Sequence, residues 1–548
     1  MLKNHPKGLM TLFFTEMWER FGYYLILGIF FLYMTDTERG GLGFGNAKAA
    51  DILGTYLALV YLTPFLGGLL ADRVLGYGRA IILGGSLMAA GYLCLAIPGD
   101  TVFWISLLLI IIGNGFFKPN ISTLVGNLYT EERYKDFKDS GYNIFYMGIN
   151  VGAFVCNFVA AYLRNYYGWG YAFAAAGIGM IFGIIWFMSG RKNIRHADMI
   201  KPTQAEDMSL ARIFGLVFGP LLVFGAIGWF IPGNIFGSDS NDAFLFAGLP
   251  VAVFYISLWV RASKKDKAPI AALLSIFGVV IIFWAIFHQN ASALTIWARD
   301  YTDRSMPAVF EPLAETFGMV QSVDTSPREV PKLDAHGVPM VDEQGLALTE
   351  TGPDPYFNNL DRSVWADQQD VVSLKLISTE IFQSVNPGFV VLLTPLVVAF
   401  FAFLRKRGRE PSTPAKIGWG MFITALSTLV MIGAVFASQN GLEKSSPSWL
   451  IASYGVITVG ELFLSPMGLS MVSKLSPPRI TSLLMGGWFV ATSIGNKFSG
   501  IIAGMWDSIA GKQYFFLINF VGAMIGAVII FLMVKWLRRV MVEHTGAH

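Results

Sequence analysis

Fourteen apolar stretches, each of about twenty residues or more, follow one another along the 548-residue chain. An α-helix needs about 20 consecutive apolar residues to cross the hydrocarbon core of a bilayer, so each stretch can span a membrane. Only 14% of the residues are charged, against about 25% in soluble globular proteins. The sequence therefore predicts an all-α integral membrane protein with 14 transmembrane helices. The stretches fall at about residues 9–34, 49–71, 79–97, 102–129, 139–164, 169–189, 213–232, 244–262, 268–298, 374–404, 415–437, 447–474, 480–507 and 513–538.

The connections between the spans differ in charge, and this predicts their sides. Cytoplasmic loops of membrane proteins carry an excess of Lys and Arg. All the strongly basic connections fall on one side of the membrane if the spans alternate in direction, and the two termini fall on that side as well. We therefore expect a multi-pass protein of the cell inner membrane with both termini in the cytoplasm. The basic segments are 191–212, 261–267, 405–409 and 535–539.

The connection at residues 299–370 has the opposite charge balance. It contains 14 Asp or Glu residues and five Lys or Arg residues, which predicts an extracytoplasmic loop. Two interpretations of its structure stay open, a small hairpin around His336 and Gly337 or a poorly ordered lid. The sequence indicates no function for this loop.

The first span carries three charges within an apolar run, in the stretch FFTEMWERFGYY. Glu16, Glu19, Arg20, Tyr23 and Tyr24 fall within about 140° of arc on a helix, so they are expected to share one face. Ionisable groups in a spanning helix are costly unless they are paired or hydrated. The pattern favours a site for protons and substrate, with a structural Glu–Arg pair as the alternative.

The pattern E-x-x-E-R-F-x-Y-Y in this stretch resembles that of the proton-dependent oligopeptide transporters of the major facilitator superfamily. Six further stretches resemble the same family, in the same order and on separate spans. Together they cover nearly the whole chain. The stretches are ADRVLG, GNGFFKPNIST, FYMGINVGAF, FWAIFHQ, VNPGF and GELFLSPMGLS.

The resemblance implies the major facilitator superfamily fold, with two six-helix bundles and a substrate site between them. Residues 1–190 would form the first bundle and residues 268–540 the second, which would carry the loop at 299–370. Residues 191–267 would form a cytoplasmic linker and a two-helix hairpin. We expect this hairpin to be peripheral, because its spans show no charge in their interior.

Two further ionisable residues lie deep in apolar spans, Lys118 and Glu461. Lys118 precedes Pro119, which bends a helix. It could extend its ammonium group toward the cytoplasm instead, and Glu461 could be a structural partner of a lysine. Because they lie in different bundles, a pair between them could form in one state of the transport cycle and separate in another. Such a pair resembles the family's gating and substrate-carboxylate contact.

Several polar and aromatic residues in apolar spans are candidates for binding substrate. Each needs a hydrogen-bond partner in lipid or must line a water-filled cavity, although interhelical hydrogen bonds and core packing are equally consistent with the pattern. As a set they resemble the peptide-binding cavity of the family. Besides Arg20, Tyr23, Tyr24, Lys118 and Glu461, the candidates are Tyr56, Tyr146, Asn150, Trp284, Asn386, Ser465 and Trp488.

The connection between the second and third spans, GGLLADRVLGYGRA, resembles a cytoplasmic loop motif of the superfamily. The resemblance implies that Asp72, Arg73 and Arg79 join helices in one conformation, whereas ordinary solvated charges are the alternative. Lys497, near the outer end of its span, is expected to extend its ammonium group to the membrane surface.

The chain departs from the family at two positions that belong together. Leu27 stands where many members carry an arginine, and His288 stands where they carry an acid. The outer-gate salt bridge that these positions form in the family is therefore impossible here. A histidine at this place is either a further proton-coupling site, beside Glu16, Glu19, Arg20 and Glu461, or a neutral hydrogen-bonding residue.

The function predicted from these features is proton-coupled symport that imports di- and tripeptides. The chain shows no catalytic constellation, phosphate loop or metal-ligand spacing, and Cys94 and Cys156 lie in apolar spans. We therefore expect no enzymatic activity, no cofactor besides protons, no metal, no nucleic-acid partner, and a functional monomer. The alternatives are a porter or exporter of another amphipathic or anionic solute and, less favoured, a membrane peptide receptor.

Overall fold

A computed structural model describes residues 5–199, 209, 214–306, 309–335, 337–366, 370–477 and 480–545 of the chain. Its main elements are long helices, which we number α1 to α14 in chain order. They are α1 (Gly8–Thr35), α2 (Asn46–Leu70), α3 (Tyr77–Leu95), α4 (Asp100–Leu128), α5 (Lys138–Tyr167), α6 (Trp169–Ser189), α7 (Gly219–Phe230), α8 (Asp239–Val260), α9 (Lys264–Phe287), α10 (Val385–Lys406), α11 (Thr413–Ala437), α12 (Pro447–Leu475), α13 (Thr481–Gly504) and α14 (Lys512–Thr545).

The predicted all-helical membrane fold is confirmed. Among the residues that the structure describes, eleven helices are long and apolar enough to cross a membrane by length and composition, and Gly215–Phe230 forms a shorter apolar helix. The other two spans are α1, which carries Glu16, Glu19 and Arg20, and α13, which carries Lys497. The charged residues in these two helices therefore have to be accommodated inside the protein.

The first six helices pack on one another, and so do α9 to α14. Small residues allow this in a membrane, where the hydrophobic effect does not drive helices together. A Cβ atom added to Gly84 of α3 would lie 2.5 Å from the carbonyl oxygen of Gly113 in α4. In the second group, a Cβ atom on Gly420 of α11 would lie 2.9 Å from the carbonyl oxygen of Gly460 in α12. Close backbone contact thus holds each bundle together.

The fourteen helices alternate in direction, so both ends of the described chain lie on one side, which we call the terminal face. The opposite side, the loop face, carries the long connection between α9 and α10. In this connection β1 (Val320–Asp324) pairs with β4 (Ser373–Ile377), and β2 (Arg328–Pro331) pairs with β3 (Thr349–Gly352), both antiparallel. A small core of Val323, Tyr356, Phe357 and Leu376 lies beneath them.

The hairpin expected around Gly337 is present in this connection. Leu333 and Pro339 form an antiparallel bridge, and the amide of Gly337 donates to the carbonyl oxygen of Asp334 at 3.1 Å, which closes the turn. Gly337 has φ of +77°, a conformation that glycine adopts without strain. His336, named in the same prediction, lies outside the described residues.

The hairpin of α7 and α8 lies at the edge of the molecule but is attached to both bundles. Tyr255 of α8 donates its hydroxyl to the carbonyl oxygen of Leu483 at 2.9 Å. Phe218, just before α7, stacks on Phe65 of α2 with ring centres 5.9 Å apart. Asp242 lies just before the predicted span 244–262, where it is fully buried and accepts hydrogen bonds from two backbone amides of the α7–α8 turn.

The prediction that Lys497 extends to the membrane surface is wrong. Its side chain is 1% exposed, and its ammonium group contacts Asp51 of α2 at 2.6 Å. Depth along a single helix does not reveal a partner on another helix. A nearby carboxylate compensates the charge of this buried ammonium group, whereas an isolated lysine would have to extend its ammonium group to the lipid headgroups.

The span that begins with α9 is interrupted at its loop-face half. After Phe287 the chain forms a 3₁₀ turn at His288–Ala291, a short helix at Ala293–Ile296 and a π-helical turn at Trp297–Tyr301. The carbonyl oxygen of Asn290 accepts hydrogen bonds from Thr295 and from Gln383. Because side chains satisfy this backbone, the break is tolerated at membrane depth.

Candidate functional site

Three charged side chains of α1 form a buried cluster. Arg20 Nη2 donates to Glu19 Oε1 at 2.8 Å, its Nε is hydrogen-bonded to Glu19 Oε2, and the same Nε lies 3.2 Å from Glu16 Oε1. Asn114 of α4 makes a further contact of 3.5 Å with Glu19. The shared face predicted from the spacing is therefore confirmed, and one guanidinium group serves two carboxylates.

Lys118 of α4 lies beside this cluster. Its Nζ is 3.8 Å from the centre of the Tyr61 ring of α2, and it is close enough to Glu16 and Glu19 to interact with both electrostatically. The ammonium group thus stays with the buried groups of the first bundle and does not extend toward the membrane surface. A cation on an aromatic face is stabilised without being neutralised.

Tyr61 is a site residue that sequence reasoning missed. The stretch TYLALVYLTP contains two tyrosines five positions apart, about 140° around a helix, so only one can face the cavity. Tyr56, the residue predicted to bind substrate, instead packs in the first bundle against Phe30, with ring centres 5.4 Å apart. The lysine on the neighbouring span was the signal that could have selected Tyr61.

Glu461 of α12 faces the first bundle from the second. Asn386 of α10 donates to Glu461 Oε2 at 3.3 Å and to Thr458 Oγ1 at 2.8 Å. No ion pair joins Glu461 to Lys118, or either of them to another residue, in the part of the chain that the structure describes. The predicted pair is therefore not formed in this state.

A cavity of about 70 Å³ lies between the two bundles at this level. It brings together six of the predicted residues: Tyr23, Tyr24, Trp284, His288, Asn386 and Glu461. It also exposes polar residues that were not predicted, on α5 and on the turns before α10 and after α9. These are Asn157, Gln383 and Asn290; the remaining lining residues are Leu27, Gly28, Tyr61, Phe287 and Pro387.

The other predicted binding residues lie around this cavity and not on its wall. Tyr146 of α5 is close enough to Glu461 to interact with it electrostatically and is 45% exposed. Asn150 donates to the Tyr146 carbonyl oxygen within its own helix. Ser465 lies one turn beyond Glu461, and Trp488 is buried against Gly468 inside the second bundle.

His288 stands at the break after α9. Its ring stacks on Trp284 with centres 5.1 Å apart, and the edge of Tyr61 lies 6.3 Å away. Its Nδ1 is buried and has no hydrogen-bond partner among the residues that the structure describes. The predicted placement on one face with Trp284 is confirmed, and no carboxylate of the described part of the chain contacts the ring in this state.

The cavity is closed toward the loop face by contacts between the bundles. Arg164 of α5 lies with its Nε 2.9 Å from Glu380 Oε1, and both side chains are almost fully buried. Asn157 donates to Ser384 Oγ at 3.1 Å. The ion pair that Leu27 and His288 cannot form is thus replaced by one between other elements, the end of α5 and the turn before α10.

The motif after α2 lies at the terminal face in a π-helical turn, Ala71–Leu75. The Tyr77 hydroxyl donates to Asp72 Oδ1 at 2.5 Å, and Gly76 between them has φ of +79°. Arg79 is exposed on α3. The predicted gating residues Asp72, Arg73 and Arg79 therefore flank one tight turn at the end of the first bundle's α2.

A sequence model described as the POT family matches residues 78–324 and 362–521 of the chain. The chain belongs to the POT family. The matched residues contain the elements that supply Lys118, Arg164, His288 and Glu461, so the site lies largely within the family's shared sequence.

Curated relatives extend this POT-family similarity to almost the full length. The chain is 32% identical over 537 residues to an uncharacterized transporter of Bacillus subtilis, covering 96% of this chain and 94% of that protein. It is 30% identical over 542 residues to a di-/tripeptide transporter of Lactococcus lactis subsp. cremoris, covering 96% and 95%.

Solved structures of POT-family proteins share the fold. A peptide transporter POT crystallised with alafosfalin superposes with a TM-score of 0.74 at 28% identity, over 98% of this chain and 96% of that chain. The same transporter with sulfate gives a TM-score of 0.74, also at 28% identity, with coverage of 98% and 96%. The similarity thus includes both bundles and the inserted elements.

Proposed function

We propose that this POT-family transporter is a proton-coupled symporter that imports di- and tripeptides. The observation that carries the proposal is that Lys118 and Glu461, which form no ion pair among the residues that the structure describes, lie on opposite bundles beside the cavity. A small peptide is a zwitterion of fixed backbone chemistry and variable side chains. It needs one cation, one anion and tolerant walls between them, and this site supplies all three.

The residues have separate roles in this proposal. The peptide carboxylate binds Lys118, with Arg20 as a second cation, and the peptide ammonium binds Glu461. Tyr23, Tyr24, Tyr61 and Trp284 form aromatic walls that accept different side chains, because aromatic surfaces contact apolar and polar groups alike. The polar groups for the peptide amides are Asn386, Asn150, Tyr146 and Ser465, with Tyr56 and Trp488 supporting the walls from behind.

Proton coupling follows from the charge balance of the buried cluster. Glu16, Glu19, Arg20 and Lys118 together carry a net charge of zero when all are ionised. When a peptide carboxylate binds Lys118, the carboxylates of Glu16 and Glu19 are left with one cation, Arg20. This net negative charge is costly at membrane depth. Protonation of Glu16 or Glu19 restores neutrality, so proton and peptide favour each other's binding.

The driving force is sufficient for accumulation. One elementary charge that moves across about 100 mV gains about 2.3 kcal/mol, which corresponds to roughly 50-fold accumulation of a neutral solute. In this proposal the terminal face is cytoplasmic and the loop face extracytoplasmic, in the cell inner membrane, and a single chain is the transporting unit. The basic connections on the terminal face support this orientation.

Purified protein in proteoliposomes tests the function. We expect uptake of a labelled dipeptide when the lumen is negative and the outside acidic, and peptide counterflow without a gradient. Replacing Glu19→Gln should abolish gradient-driven uptake, because the carboxylate that shares Arg20 is lost, while part of the counterflow survives. Glu343→Gln, on the exposed loop, is the matched control and should behave as the original protein.

Two outcomes would contradict the proposal. Gradient-driven uptake by Glu19→Gln at the original rate would remove this residue from proton coupling. Absence of peptide counterflow in the original protein, together with gradient-driven movement of another amphipathic or anionic solute, would indicate a porter of a different substrate.

A further inference from the structure

The buried ammonium group of Lys497 is surrounded by three hydrogen-bond acceptors. Its Nζ lies 2.6 Å from Asp51 Oδ1, 2.6 Å from Thr55 Oγ1 and 2.8 Å from Ser240 Oγ. The Ser240 hydroxyl in turn donates to Asp51 Oδ1 at 2.6 Å. We call these four residues the seam cluster.

The seam cluster satisfies the ammonium group completely. An ammonium has three N–H donors, and each has one acceptor here. Lys497 belongs to α13 of the second bundle, Asp51 and Thr55 belong to α2 of the first bundle, and Ser240 belongs to α8 of the hairpin. A buried donor left unsatisfied is costly. The hairpin therefore supplies the third acceptor, the Ser240 hydroxyl, which neither bundle provides.

The cluster lies where the backbones of the two bundles are in close contact on the loop-face side. A Cβ atom added to Gly54 of α2 would lie 2.7 Å from the Cα atom of Gly500 in α13. Ser493 of α13 donates to the carbonyl oxygen of Ala58 at 2.6 Å. Contacts of this kind have to separate when one bundle rocks against the other to expose the site at the loop face.

The hairpin is anchored independently of the seam cluster. The hydroxyl of Tyr255, farther along α8 toward the terminal face, is bonded to the Leu483 carbonyl oxygen at the start of α13. The α8 helix is thereby fixed to the second bundle at this end. At its other end Ser240 reaches across to Asp51 of the first bundle, so α8 can hold the bundles together without forming part of either.

We propose that the α7–α8 hairpin is a working part of the transport cycle, and that Ser240 is a positioning residue that holds the loop-face half of the α2–α13 seam closed. It acts through Lys497 and Asp51 and does not touch the substrate. The proposal rests on the transport function proposed above, with a substrate site that opens to each face in turn, but it does not depend on which solute is carried. It gives the hairpin a function that its place at the edge of the molecule does not suggest.

Distances across the loop face test the proposal directly. Spin labels at Thr101→Cys and Leu442→Cys, both exposed at loop-face turns of different bundles, report separation of the bundles in nanodiscs by double electron–electron resonance. The background is the full chain with its two native cysteines replaced. The variants are Ser240→Ala, Ser240→Thr and the matched control Ser257→Ala. Among the described residues the Ser257 hydroxyl bonds within α8, to the Phe254 carbonyl oxygen.

We expect Ser240→Ala to raise the ratio of loop-face-open to loop-face-closed molecules between about twofold and tenfold, the range for loss of one hydrogen bond. Ser240→Thr keeps the hydroxyl and should restore the original ratio, and Ser257→Ala should leave it unchanged. Equal distance distributions for Ser240→Ala and Ser257→Ala would overturn the proposal. Absence of peptide counterflow together with the expected shift would instead contradict only the proposed substrate.

Discussion

His288 occupies a place where burial and neighbours act on its protonation together. Its ring lies on Trp284, the edge of Tyr61 faces it, and the Lys118 ammonium is close enough to repel a second cation. In the described ranges of the chain, no carboxylate contacts this ring. Opening of the loop face would admit water to this ring, so we expect the protonation of His288 to depend on whether the loop face is open or closed.

A substitution that removes only the titration should reveal this dependence. His288→Gln keeps a hydrogen-bonding side chain of similar reach. We expect the pH profile of gradient-driven uptake to flatten across the range in which histidine titrates, while peptide affinity at higher pH changes little. Uptake and counterflow measured from about pH 5 to pH 8 provide the comparison. A profile that overlays the original would make His288 a neutral packing residue.

At the level of single residues, the sequence points to side chains that are energetically costly to place in a membrane. Glu16, Glu19, Arg20, Lys118 and Glu461 stand out because a charge in an apolar span needs a reason. Tyr61, Asn157 and Gln383 were missed, since their types are common in helices and only the packing of neighbouring helices turns them toward the cavity. Lys497 was misjudged because its partner Asp51 lies 446 positions away in the chain.

The elements at the loop face are joined by the buried pair of Arg164 and Glu380. It connects the end of α5 to the turn before α10, and Asn165 adds a hydrogen bond of 2.7 Å to Ser378 in the same region. Removing one member of a buried pair leaves an uncompensated charge, which costs about 3–5 kcal/mol. The intact pair is therefore expected to shift the equilibrium strongly toward the loop-face-closed state.

Neutral replacements of this pair should be strongly non-additive. Arg164→Gln leaves Glu380 charged and buried, so we expect loss of the loop-face-closed state and of most uptake. The double variant Arg164→Gln with Glu380→Gln should recover part of both, because no charge remains unpaired. Arg362→Gln, on the exposed loop, is the control. Additive losses in the double-mutant cycle, measured by uptake and by labelling across the loop face, would argue against direct coupling.

The helices themselves were predicted well because hydropathy depends on neighbours in the chain. The two small sheets were not, since β1 pairs with β4 across about fifty intervening residues and no local pattern specifies that partner. The attachment of α8 was missed for a related reason. Ser240 and Tyr255 are ordinary residues in their own helix, and their importance comes only from the groups that α2 and α13 present to them.

For the molecule as a whole, the loop face contains a lysine whose protonation affects stability. Lys444, in the turn between α11 and α12, lies 3.9 Å from the Tyr356 ring centre and donates to the Asp300 carbonyl oxygen at 2.8 Å. Burial, and then the nearby Arg304, lower the pKa of Lys444 to about 7. Asp300, Asp303 and Asp354 face it and oppose this shift.

This lowered pKa predicts a rise of stability with pH. Between about pH 7 and pH 10 the unfolded chain holds a proton on Lys444 that the folded chain has released, so the free energy of unfolding increases with pH in this window. We expect Lys444→Met to lose much of that increase. Thermal unfolding in detergent across the window measures it, with Lys265→Met, exposed at the terminal face, as the control. Identical slopes for both variants would contradict the prediction.

The connection at the loop face starts and ends in the second bundle but is fastened to the first. Gly45 donates its amide to the Gly345 carbonyl oxygen at 3.0 Å, Lys48 Nζ donates to the Gln344 carbonyl oxygen at 2.8 Å, and Arg328 lies 3.3 Å from Glu38. In mechanical terms this connection is a tether of fixed length that joins the two bundles across the loop face. The length of that tether then limits how far the loop-face opening can widen, and we expect an antibody fragment that binds and stiffens the tether to slow each transport cycle without entering the cavity.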